Sequence, residues 1–294
     1  MMTGVLDHYP TRTRLPGPLL ERREPVVHDE LPGPLDPELV ASFEDNGFLV
    51  LPSLLPLHKV AAMEEHLEEL RNDPSIRRRP EAILEPTDDA LRSLFAVHRL
   101  QGPIAELARD PHVVGTARQL LGSDVYVHQS RVNLKPGFRG RDFYWHSDFE
   151  TWHAEDGMPR MRAISVSVLL TENRTCNGPL LTIPGSHRWF VPCVGETPER
   201  HHERSLRQQE VGVPSDQALT ALAEEGGIVE CTGPPGTCIV FDCNLMHGSN
   251  GNITPYPRRN VFLVYNSIEN ALVEPYAAPA PRPEHIASRT FEPV

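Results

Sequence analysis

Phe143-Tyr144-Trp145-His146-Ser147-Asp148-Phe149-Glu150-Thr151-Trp152-His153 is the stretch on which the reading of this chain turns. Five of the ten residues from 143 to 152 are aromatic, in a chain that is 6% aromatic as a whole. Inside the run sits a His-x-Asp pair. Two residues apart on an extended strand, His146 and Asp148 project to one face. An imidazole and a carboxylate on one face make two thirds of a 2-His-1-carboxylate site for non-haem iron. The aromatic residues around the pair read as the walls of a small pocket. A second histidine on a later strand, followed by a basic anchor, would complete an oxygen-using iron centre.

Five later histidines compete for the third position: His187, His201, His202, His247 and His285. His201 and His202 lie in a polar stretch, His285 in a proline-rich one, and His187 at a turn after a strand. His247 follows the strand Cys238 to Phe241. In a jelly-roll metal site the last ligand comes from a late strand paired across the barrel mouth, so position favours His247 over His187. Eleven positions beyond His247 comes Arg258, just before the strand Asn260 to Tyr265. An arginine there can clamp a carboxylate with two parallel hydrogen bonds. Adjacent strand residues face opposite ways, so Arg258 rather than Arg259 is expected to enter the site.

Composition bounds the rest. The 294 residues are enough to bury a substantial core. A formal net charge of −12 argues against a nucleic-acid partner, which needs a basic surface. No run approaches the roughly 18 apolar residues of a membrane span. Met1 to Arg23 lacks the apolar core of a signal peptide, so a cytoplasmic enzyme is expected. The five cysteines are odd in number and form no Cys-x-x-Cys, which points to reduced thiols. Thirty prolines is about twice the usual share of roughly 5%. They crowd residues 10–37 and 275–293, so the chain divides into an extended segment 1–34, a single domain 35–275 and a tail 276–294.

Asp36 reads as an N-cap and Pro37 as the first residue of a helix that ends at Asn46-Gly47. Val60, Met63, Leu67 and Leu70 recur at helical spacing, and residues 111–121 form another helix ending at Gly122. After Ser123 the pattern changes. Strands are expected over Val125 to Leu134, Met161 to Leu170, Leu180 to Ile183, Gly227 to Glu230, Thr237 to Phe241 and Val261 to Tyr265. The fold class is therefore mainly β with flanking helices, around a double-stranded β-helix (jelly-roll, cupin-like) core. Residues 195–226 form a polar excursion with some helix, of a kind that could serve as a lid.

The run from Phe143 to Ala163 resembles the signature of ectoine hydroxylases, within the phytanoyl-CoA dioxygenase-like family of iron(II)- and 2-oxoglutarate-dependent enzymes. Gly178-Pro179-Leu180, Pro184-Gly185-Ser186-His187 and His247-Gly248-Ser249-Asn250 with Arg258 resemble the wider family. The resemblance covers roughly residues 35 to 275 and implies that His146, Asp148 and His247 bind Fe(II). It places Lys135, Asn133 and Arg258 at 2-oxoglutarate, and Gln129, Trp152, Ser167 and Asn260 near ectoine. Glu150 and His153 are alternatives as residues that hold the signature loop together. It further implies a homodimer.

Three protein ligands leave three octahedral positions on Fe(II), enough for a chelating 2-oxo acid and O2. The far carboxylate of the 2-oxo acid needs a cation, which is the role that Arg258 suits. The reaction implied is hydroxylation of ectoine to 5-hydroxyectoine with release of succinate and CO2. Ectoine carries a delocalised amidinium, which an aromatic face such as Trp152 attracts by about 0.5 to 2 kcal/mol. Three other readings stay open at this point. They are an oxygenase of another small amino-acid-like molecule, a non-catalytic cupin-like protein, and a zinc hydrolase using the same three ligands.

Overall fold

The first helix begins where its sequence directs. The Asp36 carboxylate accepts from the Leu39 amide at 2.9 Å, Pro37 takes the first helical position, and Gly47 at φ 78° ends α1 (Pro37–Asn46). The computed structural model describes residues 7–28, 31–85, 90–205 and 211–294. Its further helices are α2 (Leu57–Asn72), α3 (Pro74–Arg77), α4 (Pro103–Leu107), α5 (Pro111–Leu121), α6 (Asp148–Thr151), α7 (His202–Ser205) and α8 (Asp216–Gly226). Its strands are β1 (Leu20–Glu21), β2 (Phe48–Leu51), β3 (Ala82–Leu84), β4 (Leu91–Phe95), β5 (Val125–Lys135), β6 (Phe143–His146), β7 (Ala163–Leu169), β8 (Leu180–Thr182), β9 (Trp189–Phe190), β10 (Val229–Cys231), β11 (Cys238–Asp242), β12 (His247–Ser249) and β13 (Arg258–Ser267).

Seven strands make one antiparallel sheet in the order β2-β11-β7-β13-β5-β4-β3, and four make a second in the order β10-β8-β12-β6. This is the expected jelly roll. Period-2 alternation gives the large sheet two different faces. On the outer face Val132, Val166, Val168, Val261 and Leu263 pack with Phe43, Met63, Leu67, Ile104 and Leu120 from the helices, forming the main core. The inner face carries Gln129, Arg131, Asn133 and Lys135 from β5, Ser165 and Ser167 from β7, and Arg258 and Asn260 from β13. Part of it is apolar: Leu169, Ile239, Phe241 and Phe262 pack with Leu180 and Leu245 from the small-sheet side. The polar remainder is the space available for a site.

The strands expected after Ser123 are all present, with β13 extending further than its apolar stretch suggested. Two local expectations need correction. His146 and Asp148 do not share a strand: β6 ends at His146, Ser147 caps the following turn, and Asp148 is the first residue of α6. The Ser147 hydroxyl accepts from the Glu150 amide at 3.4 Å, a local bond that competes with strand continuation. Nor are the aromatics of the run a common wall. Tyr144 is exposed, Trp145 packs beside Ile183, Val191 and Met246, and Phe149 and Trp152 join a core cluster with Tyr9, Met158 and Phe190.

The proline-rich ends, expected as tails, lie packed on the body. β1 pairs with β9, and Tyr9, Thr11 and Arg12 are buried. At the other end Arg282, Ile286, Ala287 and Ser288 are buried, and the Val294 amide donates to the Val125 carbonyl at 3.1 Å. Proline limits helix and ladder bonds in these segments, but their apolar and charged side chains still find partners. In the 195–226 excursion α8 buries Leu222 against Ile183 and Met246; residues 206–210 lie outside the described residues. All five cysteines are unpaired, and burial pushes the Cys231 and Cys238 thiols up to about 12.

Candidate metal and co-substrate site

His146 ends β6 and His247 opens β12, and the two are register partners across the ladder. Their imidazole centroids lie 4.2 Å apart. Each ring is oriented from behind: His146 Nδ1 lies 2.8 Å from the Tyr144 carbonyl and His247 Nδ1 2.9 Å from the Leu245 carbonyl. With Nδ1–H donating to those carbonyls, each Nε2 keeps a lone pair facing the other ligands. Asp148 reaches the same point from α6, with Oδ1 3.7 Å from His146 Nε2 and Oδ2 4.0 Å from His247 Nε2. The three donor atoms all lie within 4.8 Å of one another. Burial, and then the neighbouring His247, hold the His146 imidazole down at about 3, so it stays neutral and able to coordinate. Two imidazoles and one carboxylate on one side, with open space opposite, fit Fe(II).

Beside this triad lies a cavity lined by basic side chains. Arg131, Lys135, Arg258 and Arg92 line it together with Asn133, Phe143, His146, Ser249 and His247. Glu85 pairs with Arg92 at 3.1 Å, but among the described residues no carboxylate lies within ion-pair distance of Arg131, Lys135 or Arg258. Arg258 donates to the Gly178 carbonyl at 2.7 Å and to Asn133 Oδ1 at 2.6 Å, while its Nε has no partner. Burial together with Arg131 and Arg92 brings its guanidinium down to about 10, still charged at neutral pH. Lys135 donates to Ser249 Oγ at 2.9 Å and to the Asn250 carbonyl. Burial, then Arg258 and Arg92, push its amine down to about 6. Uncompensated buried positive charge is costly, and a dianionic ligand relieves it.

The expected residues thus divide. His146, His247, Lys135, Asn133 and Arg258 line one cavity, and Asp148 closes its metal end. Arg259 faces outward onto Glu64 and Glu68, as alternation required. Gln129, Trp152, Ser167 and Asn260 do not line that cavity. Gln129 Nε2 donates to the Ile286 carbonyl at 2.9 Å, and the Trp152 ring meets His128 edge-on at 5.1 Å. Asn260 donates to Ser167 Oγ at 3.2 Å, so these two bond each other deep in the sheet.

Ser165 and Arg131 are among the residues of the site that escaped the sequence reading. Ser165 Oγ donates to Asp148 Oδ2 at 3.1 Å. Its signal was available: it is the second hydroxyl, two residues from Ser167, on one face of an apolar strand. Arg131 lies between Gln129 and Asn133 on the inner face of β5, its guanidinium over Phe262 at 5.2 Å and near Phe95 at 5.8 Å. An arginine at every-second-residue spacing with three other polar positions marks a polar strand face, and that pattern could have found it.

The comparisons with known proteins agree with this geometry. The profile of the family described as Phytanoyl-CoA dioxygenase (PhyH) matches residues 43–260. The ectoine dioxygenase of Bordetella bronchiseptica is 54% identical over 98% of this chain and 94% of its own length. That of Nocardia farcinica is 52% identical over 98% and 96%. The crystal structure of EctD from S. alaskensis with 2-oxoglutarate and 5-hydroxyectoine superposes with a TM-score of 0.88 at 47% identity, covering 98% of this chain and 96% of that one. The same protein with bound Fe superposes with a TM-score of 0.86 at 46% identity, covering 97% and 95%. With the jelly roll, the His-Asp-His triad and a profile match across most of its length, this chain belongs to the phytanoyl-CoA dioxygenase family.

Proposed function

We propose that this protein hydroxylates ectoine to 5-hydroxyectoine, consuming O2 and 2-oxoglutarate and releasing succinate and CO2. The observation that carries the reading is the meeting of the His146, Asp148, His247 triad with a cavity lined by Arg131, Lys135 and Arg258, in a chain alike over 98% of its length to an ectoine dioxygenase. Iron(II) bound with 2-oxoglutarate supplies the oxygen activation that replaces a C–H hydrogen by hydroxyl.

The chain's own residues then have distinct tasks. His146, Asp148 and His247 hold the metal on one side and leave the other open. Arg258 takes the far carboxylate of 2-oxoglutarate, Lys135 and Asn133 flank it, and Ser165 orients the Asp148 carboxylate. Gln129 and Trp152 are assigned to the ectoine side, supported by their place beside the signature loop and the C-terminal segment. Arg131, a half-buried cation on the same strand face, is a partner for ectoine's carboxylate. Ser167 and Asn260 support that wall through their mutual bond. The basic side chains of Arg131, Lys135 and Arg258 beside the triad favour this oxygenase over a zinc hydrolase, which has no need of them.

The profile match within residues 35–275 supports that span as the catalytic unit, with segments 1–34 and 276–294 as its two flanks. Among the described residues no helix is long and apolar enough to cross a membrane. A cytoplasmic homodimer goes with this reading, and sedimentation of the purified protein tests the dimer. The activity is tested by supplying Fe(II), 2-oxoglutarate and ectoine and following succinate and hydroxyectoine. Oxygen-dependent formation of both is expected; succinate without hydroxyectoine refutes the substrate.

A further inference from the structure

The metal ligands sit on short elements, and one N-terminal segment holds those elements from behind. Arg12 Nε and Nη2 donate to the two oxygens of Glu150 at 2.7 and 2.9 Å, and Nη2 also reaches Glu155 at 3.2 Å. Thr11 Oγ1 donates to the same Glu150 at 2.6 Å. Glu150 belongs to α6, the single turn that begins with Asp148. The Arg12 and Glu150 side chains are each 1% exposed. Arg12 holds φ 56°, a conformation that residues other than glycine rarely adopt and that persists where surrounding contacts impose it.

Ten residues on, the same segment grips the other side of the triad. Arg22 Nη1 donates to Asp242 Oδ2 at 2.8 Å, and Nη2 to the Met161 carbonyl at 2.7 Å. Asp242 Oδ1 accepts from the Asn244 amide at 2.8 Å. Asn244 Oδ1 accepts from Ser147 Oγ at 3.0 Å, and its NH2 donates to the carbonyls of His187 and Trp189 at 3.0 Å each. Ser147 is the residue between His146 and Asp148, and Asn244 lies on the loop leading into His247. A continuous bonded path therefore runs from Arg22 to the link between the first two ligands and to the approach of the third.

We infer that residues Tyr9 to Arg22 are a positioning element of the metal centre. Arg12 acts through Glu150 on Asp148, and Arg22 acts through Asp242 and Asn244 on the spacing of all three ligands. The inference rests on the reading of His146, Asp148 and His247 as the iron ligands. Buried charge pairs contribute little net stability compared with apolar replacements, so their value here is geometric. The segment belongs to the proline-rich stretch that precedes the family match, yet its side chains bond the elements that carry the ligands.

The test uses the full chain, stripped of metal and titrated anaerobically with Fe(II), with Co(II) as a spectroscopic probe and thermal unfolding of the metal-free form in parallel. Arg12→Gln and Arg22→Gln are each expected to weaken Fe(II) binding about tenfold and to shift the Co(II) ligand-field spectrum. Arg12→Lys restores part of the affinity, because it keeps the charge but not the planar fork. Asp110→Asn, which breaks a distant pair with Lys59, lowers Tm and leaves both metal readouts unmoved. Should Arg12→Gln not fold, Glu150→Gln carries the same expectation, since Arg12 keeps Glu155. Unchanged metal affinity and spectrum in these variants, whatever their Tm, overturn the inference. A parent protein that takes up no metal, or an Asp148→Ala variant that binds as the parent does, overturns the ligand assignment itself.

Discussion

His247 is the register partner of His146 on the adjacent antiparallel strand, and the ladder shifts register between His247 and Ser249. Backbone pairing therefore sets the separation of the two imidazoles before any metal arrives. The shift bends the strand locally, a device that commonly re-aims a side chain at an active site. Asp148 is added by a different route, as the first residue of a capped turn. Two ligands are placed by a sheet and one by a helix start, so disturbing either element changes the bite of the triad.

Ser165→Ala removes the hydroxyl that donates to Asp148 and leaves a small apolar side chain in its place. Fe(II) affinity should fall about tenfold or more, with little change in Tm. Ser167→Ala, one pleat away and bonded to Asn260, should leave Fe(II) affinity intact. Anaerobic Fe(II) titration of the two variants side by side decides the matter.

Arg258→Gln should raise the KM for 2-oxoglutarate by about 10- to 100-fold, the equivalent of roughly 1.5–3 kcal/mol for a hydrogen bond to a charged group. Arg259→Gln loses only half-exposed pairs with Glu64 and Glu68, costing about 1 kcal/mol or less in stability. Its KM for 2-oxoglutarate should match that of the parent. Steady-state kinetics with 2-oxoglutarate varied checks both, and equal KM values for the two variants would contradict the facing of the pair.

Lys135 makes co-substrate binding depend on pH. In the free protein its amine is held at about 6, so it is mostly neutral at pH 7.5. A carboxylate brought against it favours the ammonium and raises that value, so binding takes up a proton. Affinity for 2-oxoglutarate should then be greatest below pH 6 and decline above it, by at most about tenfold per pH unit. Calorimetric titrations at pH 7.5 in two buffers of different ionisation heat should report the uptake, and Lys135→Met should abolish it.

Gly157 closes the turn of the signature run at φ 78°, and a Cβ there would sit 2.1 Å from the Val273 carbonyl oxygen. Gly185 has a similar φ of 79°, but a Cβ there meets nothing within 4 Å. Gly185→Ala should therefore cost about 1–2 kcal/mol from the backbone alone. Gly157→Ala should cost more, because the segment carrying Val273 must also move. Thermal or denaturant unfolding of both variants gives the comparison, and equal losses would refute the clash.

Much of the centre was legible in the chain itself. His146-x-Asp148 announces two ligands by residue type, His247 follows from its place after a late strand, and alternation alone separates Arg258 from Arg259. Local caps such as Asp36 and Gly47 are equally readable, because a cap depends on residues within one turn of it. These features are covalent or periodic, and sequence records both directly. What only the tertiary structure decided is which distant groups meet. Ser165 rather than Ser167 touches Asp148 because α6 hangs at one particular height over β7. Arg12 meets Glu150 across 138 residues, and Arg22 meets Asp242 across 220. No repeat or spacing encodes such contacts. They follow from sheet register and from the packing of a proline-rich segment onto a finished barrel, where the free energy depends on the whole surrounding shape.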